Sequence, residues 1–246
     1  MINAGDKMSL KEQFIFNFVE KDRWKYLTSG LAITLKVTFF AVLIGIFIGT
    51  IISVIRSTYD KNIEMMSRKK NIGYYIFGFA NAVCKIYLTV IRGTPTVVQL
   101  MIAYFIIFAK SSNGVFVAIL AFGINSGAYV AEILRGGIMS LDNGQFEAGR
   151  SLGFNYMQTM LYVVIPQVFK SVLPALLNEF IVLMKETSVS GYVGLQDLTK
   201  GGDIIRGRTC SEFMPLILVA LIYLVLVMIM TSVVTKIERR LRKSER

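Results

Sequence analysis

Ionisable and polar groups are rare inside the apolar stretches of this sequence, and an ionisable group buried in hydrocarbon is costly enough to imply a purpose. Arg92 is the first. It is followed by Gly93, Thr94 and Pro95, a set of residues that breaks a helix and frees backbone amides and carbonyls. Its guanidinium suits a bound carboxylate, and it suits equally well an internal ion pair with Glu132 or Glu186. Asn125 and Ser126 lie in the middle of the next apolar run, where they can bond a ligand or an adjacent helix. Glu132, about two turns further on, has Arg135 as a neighbour and reads as one half of a structural pair. Met184 and Glu186 close a later run. Glu186 would face an amine or a basic side chain, with Lys185 competing for its charge.

The remaining chemistry is sparse. Histidine is absent, which excludes Ser-His and Cys-His nucleophile pairs, histidine metal sites and histidine proton shuttles. Cys84 and Cys210 are too few and too far apart for a disulfide scaffold or a thiolate metal site. No Gly-x-x-x-x-Gly-Lys-Ser/Thr phosphate loop occurs, and no pair of carboxylates shares one helical face within an apolar run, so an intramembrane enzyme is remote.

The elements that position these groups follow from composition. Hydrophobic residues make up 54% of the 246, charged ones 17%, and mean hydropathy is +0.58. Soluble domains carry about a quarter charged residues. The net charge is +11, but Lys and Arg sit at the ends of apolar runs, which argues against nucleic acid and for orientation in a membrane. Runs long enough to cross cover 30–55, 72–109, 115–138, 163–184 and 213–235. Lys36 in the first run is close enough to its leading end to snorkel, and Gly45 and Gly49 form a small-xxx-small pattern for packing.

The region 72–109 contains Lys85 and the Arg92–Pro95 interruption, and charge decides whether it crosses once or twice. Arg56, Lys61, Arg68, Lys69 and Lys70 precede it, and Lys236, Arg239, Arg240, Arg242, Lys243 and Arg246 follow the last run. The positive-inside rule places both sets in the cytoplasm, which requires a single crossing. The expectation is an all-α integral membrane protein with five transmembrane helices, its N-terminus outside and its C-terminus cytoplasmic. Residues 1–29 form an amphipathic interfacial segment, with a capping box at Ser9–Glu12, Leu10, Phe14 and Phe18 on one face, and Trp24 and Tyr26 as anchors. Residues 30–241 form the membrane domain and 242–246 a basic cytoplasmic tail. The outer segment 187–212 reads as a polar loop whose glycines, Gly191, Gly194, Gly201, Gly202 and Gly207, serve turns.

The cytoplasmic segment, about 139–166, is more specific. Asp142 or Asn143 can cap a short helix, Glu147 falls near its first turn, and Gly153 suits a left-handed C-cap. Pro166 is expected in the first turn of the following span, and Ala148 and Gly149 offer a surface that another protein can approach closely.

Glu147-Ala148-Gly149, Gly153 and Val163-x-Ile165-Pro166 resemble the EAA loop of the membrane subunits of bacterial ATP-binding-cassette importers. Gly149 stands where the pattern has Ala, Val163 where it has Ile, and Ile165 where it has Leu. Arg92-Gly93-Thr94-Pro95 with Val97–Leu100, the run Gly127–Ile138, and Lys185-Glu186-Thr187-Ser188 narrow the resemblance to the polar amino acid (histidine, glutamine, arginine type) permease family over roughly residues 25 to 241. That resemblance implies a type I ABC importer transmembrane domain, with a second permease subunit, identical or homologous. Two cytoplasmic ATP-binding subunits would carry ATP-Mg, an extracytoplasmic solute-binding protein would deliver an amino acid, and this chain would bind no cofactor of its own. It implies ATPase coupling through Glu147, Ala148, Gly149, Gly153, Ile165 and Pro166, while substrate contacts fall to Arg92, Thr94, Asn125, Ser126, Met184 and Glu186. The intramembrane charges alone leave an alternative, an ion-coupled secondary transporter or channel subunit, which would transport without ATP.

Overall fold

The computed structural model describes residues 9–67, 72–142 and 144–243; the side chains of 62–67 and 242–243 are not described. Arg68, Lys69 and Lys70 of the charge argument, the cap candidate Asn143 and the tail residues 244–246 lie outside the described residues.

All the described elements are helical: α1 (Leu10–Phe14), α2 (Trp24–Ser67), α3 (Ile72–Gly93), α4 (Thr96–Ile102), α5 (Gly114–Met139), α6 (Gly144–Ser151), α7 (Tyr156–Thr159), α8 (Ile165–Glu186), α9 (Leu198–Thr209) and α10 (Phe213–Lys243). Five helical stretches are long and apolar enough to cross a membrane: Trp24–Lys61, Ile72–Gly93, Gly114–Met139, Tyr156–Val193 and Phe213–Leu241. The break expected at Thr94-Pro95 is present: α3 ends at Gly93, and a short apolar helical stretch, Thr96–Ile107, begins beyond the proline.

The chain divides into two compact units. In the first (residues 1–41, 96–122 and 180–233), a core of Phe18, Leu27, Leu198, Ile205 and Val219 joins the N-terminal segment, α2, α9 and α10. The capping box forms as the spacing predicts, with Ser9 N–H donating to Glu12 (2.8 Å) and Glu12 N–H donating to Ser9 (3.3 Å). The helix it starts is only one turn and passes into a π turn, Ile15–Val19. Leu10 and Phe14 stay exposed while Phe18 is buried in protein.

The segment 187–212 is not a polar loop. A 3-10 turn (Thr187–Val193) leads into α9, which is capped by Asp197 accepting from the Thr199 and Lys200 amides at 3.1 Å each. Of its five glycines only Gly194 adopts a positive φ, at 76°. Gly201 instead lets α9 lie against the Tyr26 carbonyl of α2, where a Cβ would collide. A polar sequence concealed a helix because five of its 12 residues face protein: Leu198, Gly201, Gly202, Ile205 and Thr209 are all buried.

The second unit (residues 42–95, 123–179 and 234–246) packs α3 and α5 on the later part of α2 through Ile52, Cys84, Leu88, Ala128 and Ala131. Gly45 and Gly49 serve the packing role their spacing suggests: a Cβ at Gly45 would stand 2.8 Å from the Ser126 hydroxyl, and one at Gly49 2.6 Å from Val130.

Candidate functional site

The polar groups of the second unit form two clusters. In the first, Glu132 on α5 meets three guanidinium groups: Arg135 at 3.1 Å, and Arg56 and Arg92 at 4.0 Å each. Arg135 also reaches Asp60 at 3.5 Å, and Arg92 stands 5.8 Å over the Tyr129 ring. Arg92 thus takes up the internal pair with Glu132. Its side chain is still 46% exposed, and it helps line a cavity of about 500 Å³ with Arg56, Lys85, Leu88, Thr89, Gly93 and Glu132. Thr94 donates to the Val90 carbonyl at 2.8 Å, bonding back along α3 where the helix ends.

The second cluster is buried. Ser126 donates to Glu179 of α8 at 3.0 Å, with Asn125 beside it; these residues are 0%, 8% and 1% exposed respectively. Glu179 is not among the sequence candidates, although it is, like Arg92, an ionisable residue in an apolar run, between Leu177 and Phe180. Met184 and Glu186 belong to the other unit. There Met184 is fully buried, and Glu186 is half-buried and hydrogen-bonded to Thr96 just beyond the Pro95 break.

The segment between α5 and α8 shows how a polar connector becomes a rigid body. Gly144 N–H donates to Asp142 at 2.8 Å at the start of α6. At its end Gly153 has φ +79°, its N–H donates to Arg150, and the Phe154 N–H donates to Gly149. This six-to-one and five-to-two pattern is a Schellman cap, which a residue with a Cβ would disfavour by about 1–2 kcal/mol. Phe146 is buried with Ile138, Met160 and Val164, stacks on Tyr156 at 6.1 Å and lies under the Lys61 ammonium at 3.9 Å. Gly149 does not offer itself to a partner. It is buried against Thr159, where a Cβ would stand 2.6 Å from the hydroxyl oxygen. The substitution of Gly for Ala in the motif therefore answers an internal contact, while Glu147, Ala148, Ser151 and Leu152 remain exposed.

The following helical run also starts earlier than expected. Asn155 caps α7 through a capping box with Gln158, and a π turn (Met160–Val164) intervenes before α8. Pro166 is accordingly well inside the helical run rather than in its first turn. The Ile165 N–H reaches back to Met160, and a wide turn of this kind accommodates a proline that would crowd the carbonyl four residues before it. Ile165 and Pro166 are both exposed.

Comparison with known proteins bears directly on this segment. Residues 71–243 match the family described as "Binding-protein-dependent transport system inner membrane component". The chain belongs to that family. Among its relatives, the arginine transport system permease protein ArtQ of Bacillus subtilis is 36% identical over 224 residues, covering 89% of this chain and 94% of ArtQ. The glutamine transport system permease protein GlnP of Escherichia coli is 35% identical over 168 residues, 66% of this chain and 76% of GlnP. A crystal structure of an amino acid ABC transporter with histidines superposes with a TM-score of 0.76 at 39% identity, covering 88% of this chain and 94% of that one. An inward-facing MetNI methionine ABC transporter structure shares the fold, with a TM-score of 0.73 at 20% identity.

The protein is thus a multi-pass inner-membrane permease component with the type I ABC importer fold. ATPase and binding-protein partners come with membership of such a system. The channel or ion-coupled alternative finds no support among these relatives.

Proposed function

We propose that this chain forms half of the substrate pathway of an ATP-driven importer of polar amino acids, and that α6 receives the mechanical input. The cargo class rests on the relatives, which are named for arginine and glutamine transport. The observation that carries the mechanism is the locking of α6 onto α7 and α8 through Phe146 and through the contact of Gly149 with Thr159. A push on the exposed Glu147, Ala148 and Leu152 is carried by these packed contacts and by the Schellman cap at Gly153. It passes to Met160 and Val164, and from there along α8 toward Glu179. Ile165 and Pro166 act at the π turn where that motion enters the span.

In this scheme two ATP-binding subunits hold ATP-Mg, a second permease copy or homologue completes the pathway, and an extracytoplasmic protein delivers the amino acid. This chain supplies no ATPase site. Asn125, Ser126 and Glu179 suit the α-amino end of the cargo, since a buried carboxylate beside a hydroxyl and an amide favours a cation that can also donate hydrogen bonds. Glu186, with Met184 and Thr96, offers a second carboxylate for a basic side chain. Arg92 and Thr94 contribute a cation and the helix break, and a substrate carboxylate would have to compete there with Glu132.

The orientation has Cys210 outside and α6 in the cytoplasm. Cys210 is exposed and Cys84 buried, so a membrane-impermeant maleimide applied to spheroplasts should label native Cys210. It should spare Ala148→Cys in a background lacking both native cysteines until the membrane is opened. Labelling of Ala148→Cys on intact spheroplasts would overturn the scheme. In proteoliposomes with the complete assembly, uptake should require ATP.

A further inference from the structure

Helix α3 carries three separate faces. Cys84 and Leu88 are buried against α2 and α5, and Asn81 one turn before Cys84 is buried as well. Phe79, Val83, Ile86 and Val90 follow at spacings of four, three and four residues, and are 73%, 49%, 64% and 52% exposed. Between these faces run Lys85, Thr89 and Arg92, again at helical spacing, all exposed and all lining the cavity of about 500 Å³.

The charge of that cavity is unbalanced. Arg56, Lys85 and Arg92 line it against one carboxylate, Glu132, whose shortest contact is spent on Arg135. Among the described residues no carboxylate pairs with Lys85. Arg56 and Arg92 approach Glu132 only at 4.0 Å, and the buried Arg56 Nε has no hydrogen-bond partner. A concave site with excess positive charge, donors left over and an exposed apolar stripe beside it has the chemistry of a phospholipid: phosphate in the pocket, acyl chain on the stripe.

We infer that the Arg56–Lys85–Arg92 pocket binds the phosphate of an anionic phospholipid whose acyl chain lies along Phe79, Val83, Ile86 and Val90. The phosphate supplies the counter-charge that Glu132 alone does not, and it anchors α3 immediately before the break at Thr94-Pro95. A free phosphate or a substrate carboxylate shares the anionic chemistry and lacks the chain, which is what separates the sources.

The test uses the full-length chain, purified in detergent and examined by native mass spectrometry and thermal denaturation with short-chain phosphatidylglycerol, short-chain phosphatidylcholine, inorganic phosphate or arginine. Phosphatidylglycerol should bind in preference to phosphatidylcholine. Lys85→Gln should weaken that preference roughly fivefold, the effect of removing one cation near an anionic headgroup. Val90→Asn should weaken binding of both lipids. Lys200→Gln, in the other unit, serves as the control and should change neither. Equal binding of the two lipids, or a preference that survives Lys85→Gln, overturns the inference. So does inorganic phosphate or arginine stabilising the protein as strongly as phosphatidylglycerol does. High-yield disulfide formation between two copies of a Val90→Cys variant would show that a second copy covers the stripe, and would also overturn it. None of these outcomes depends on ATP-driven uptake, so the lipid site stands or falls separately from the transport scheme.

Discussion

Helices α6 and α9 are both short, polar and set between spans, yet they are built for opposite purposes. α6 buries Phe146 and Gly149 on one side and leaves Glu147, Ala148, Arg150 and Ser151 exposed. α9 buries Leu198, Gly201, Gly202, Ile205 and Thr209, and its charges, Lys200, Asp203 and Arg206, pair with one another along its outer side. The first leaves one side open; the second closes on its own chain. Polarity in a connecting segment therefore does not report exposure, because glycine and threonine can pack as tightly as leucine when a backbone must come close.

The largest effect is expected at Glu147. A Glu147→Lys variant reverses charge on the exposed side of α6 and touches no internal contact, so ATP-driven uptake should be lost while membrane accumulation stays at the wild-type level. Uptake that survives would show that this surface is idle. Gly153→Asp should give the same loss of uptake, with a further destabilisation of about 1–2 kcal/mol from its left-handed backbone.

Next in size is Gly201→Val in α9, which forces a branched side chain into the Tyr26 carbonyl. Overpacking at a buried backbone contact costs about 3 kcal/mol, and accumulation of folded protein should fall in parallel, measured by detergent-resistant fluorescence on size exclusion. An accumulation equal to wild type would mean that α9 is not fixed to α2.

A finer instrument is the Gly149 contact. Gly149→Ala restores the residue of the family motif and should still destabilise by about 1–2 kcal/mol, because Thr159 occupies the space. Thr159→Ala in the same chain should recover most of that loss, and a double-mutant cycle measures the coupling. Additive effects would separate α6 from α7.

The smallest effect is expected on the paired face of α9. Hydrogen bonds from Lys200 first, and then Arg206, hold the Asp203 carboxyl below its ordinary value. A carboxylate depressed in the folded state adds stability that is present above its unfolded pKa and fades as pH falls through the folded one. Asp203→Asn should therefore remove under about 1 kcal/mol near neutrality and nothing in acid, as thermal denaturation at both pH values would show.

Much of this was legible in the residues themselves. The third apolar run, 115–138, lies within α5, which spans Gly114–Met139, and Gly153 falls where its capping role was expected. These succeed because hydropathy and cap chemistry are local properties. The start of the fourth span is not legible at Pro166: proline favours a first turn, but a π turn placed before it satisfies the same steric demand from within a helix. The inward direction of Gly149 was invisible, because nothing in Glu147-Ala148-Gly149 names Thr159 as its neighbour. Glu179 is legible as a carboxylate in an apolar run; its pairing with Ser126, across 53 residues of sequence, is not.

Sequence alone determined that the chain lives in a bilayer, how many times it can cross, and which family of transport components it resembles. Each of these depends on composition, spacing and order along one strand of residues. Tertiary structure decided which polar groups meet: Arg92 with Glu132, Ser126 with Glu179, Gly149 with Thr159. The reason is physical. A guanidinium or a carboxylate in an apolar segment must find a partner, but the energy that selects the partner depends on distance in space, and helix packing sets that distance.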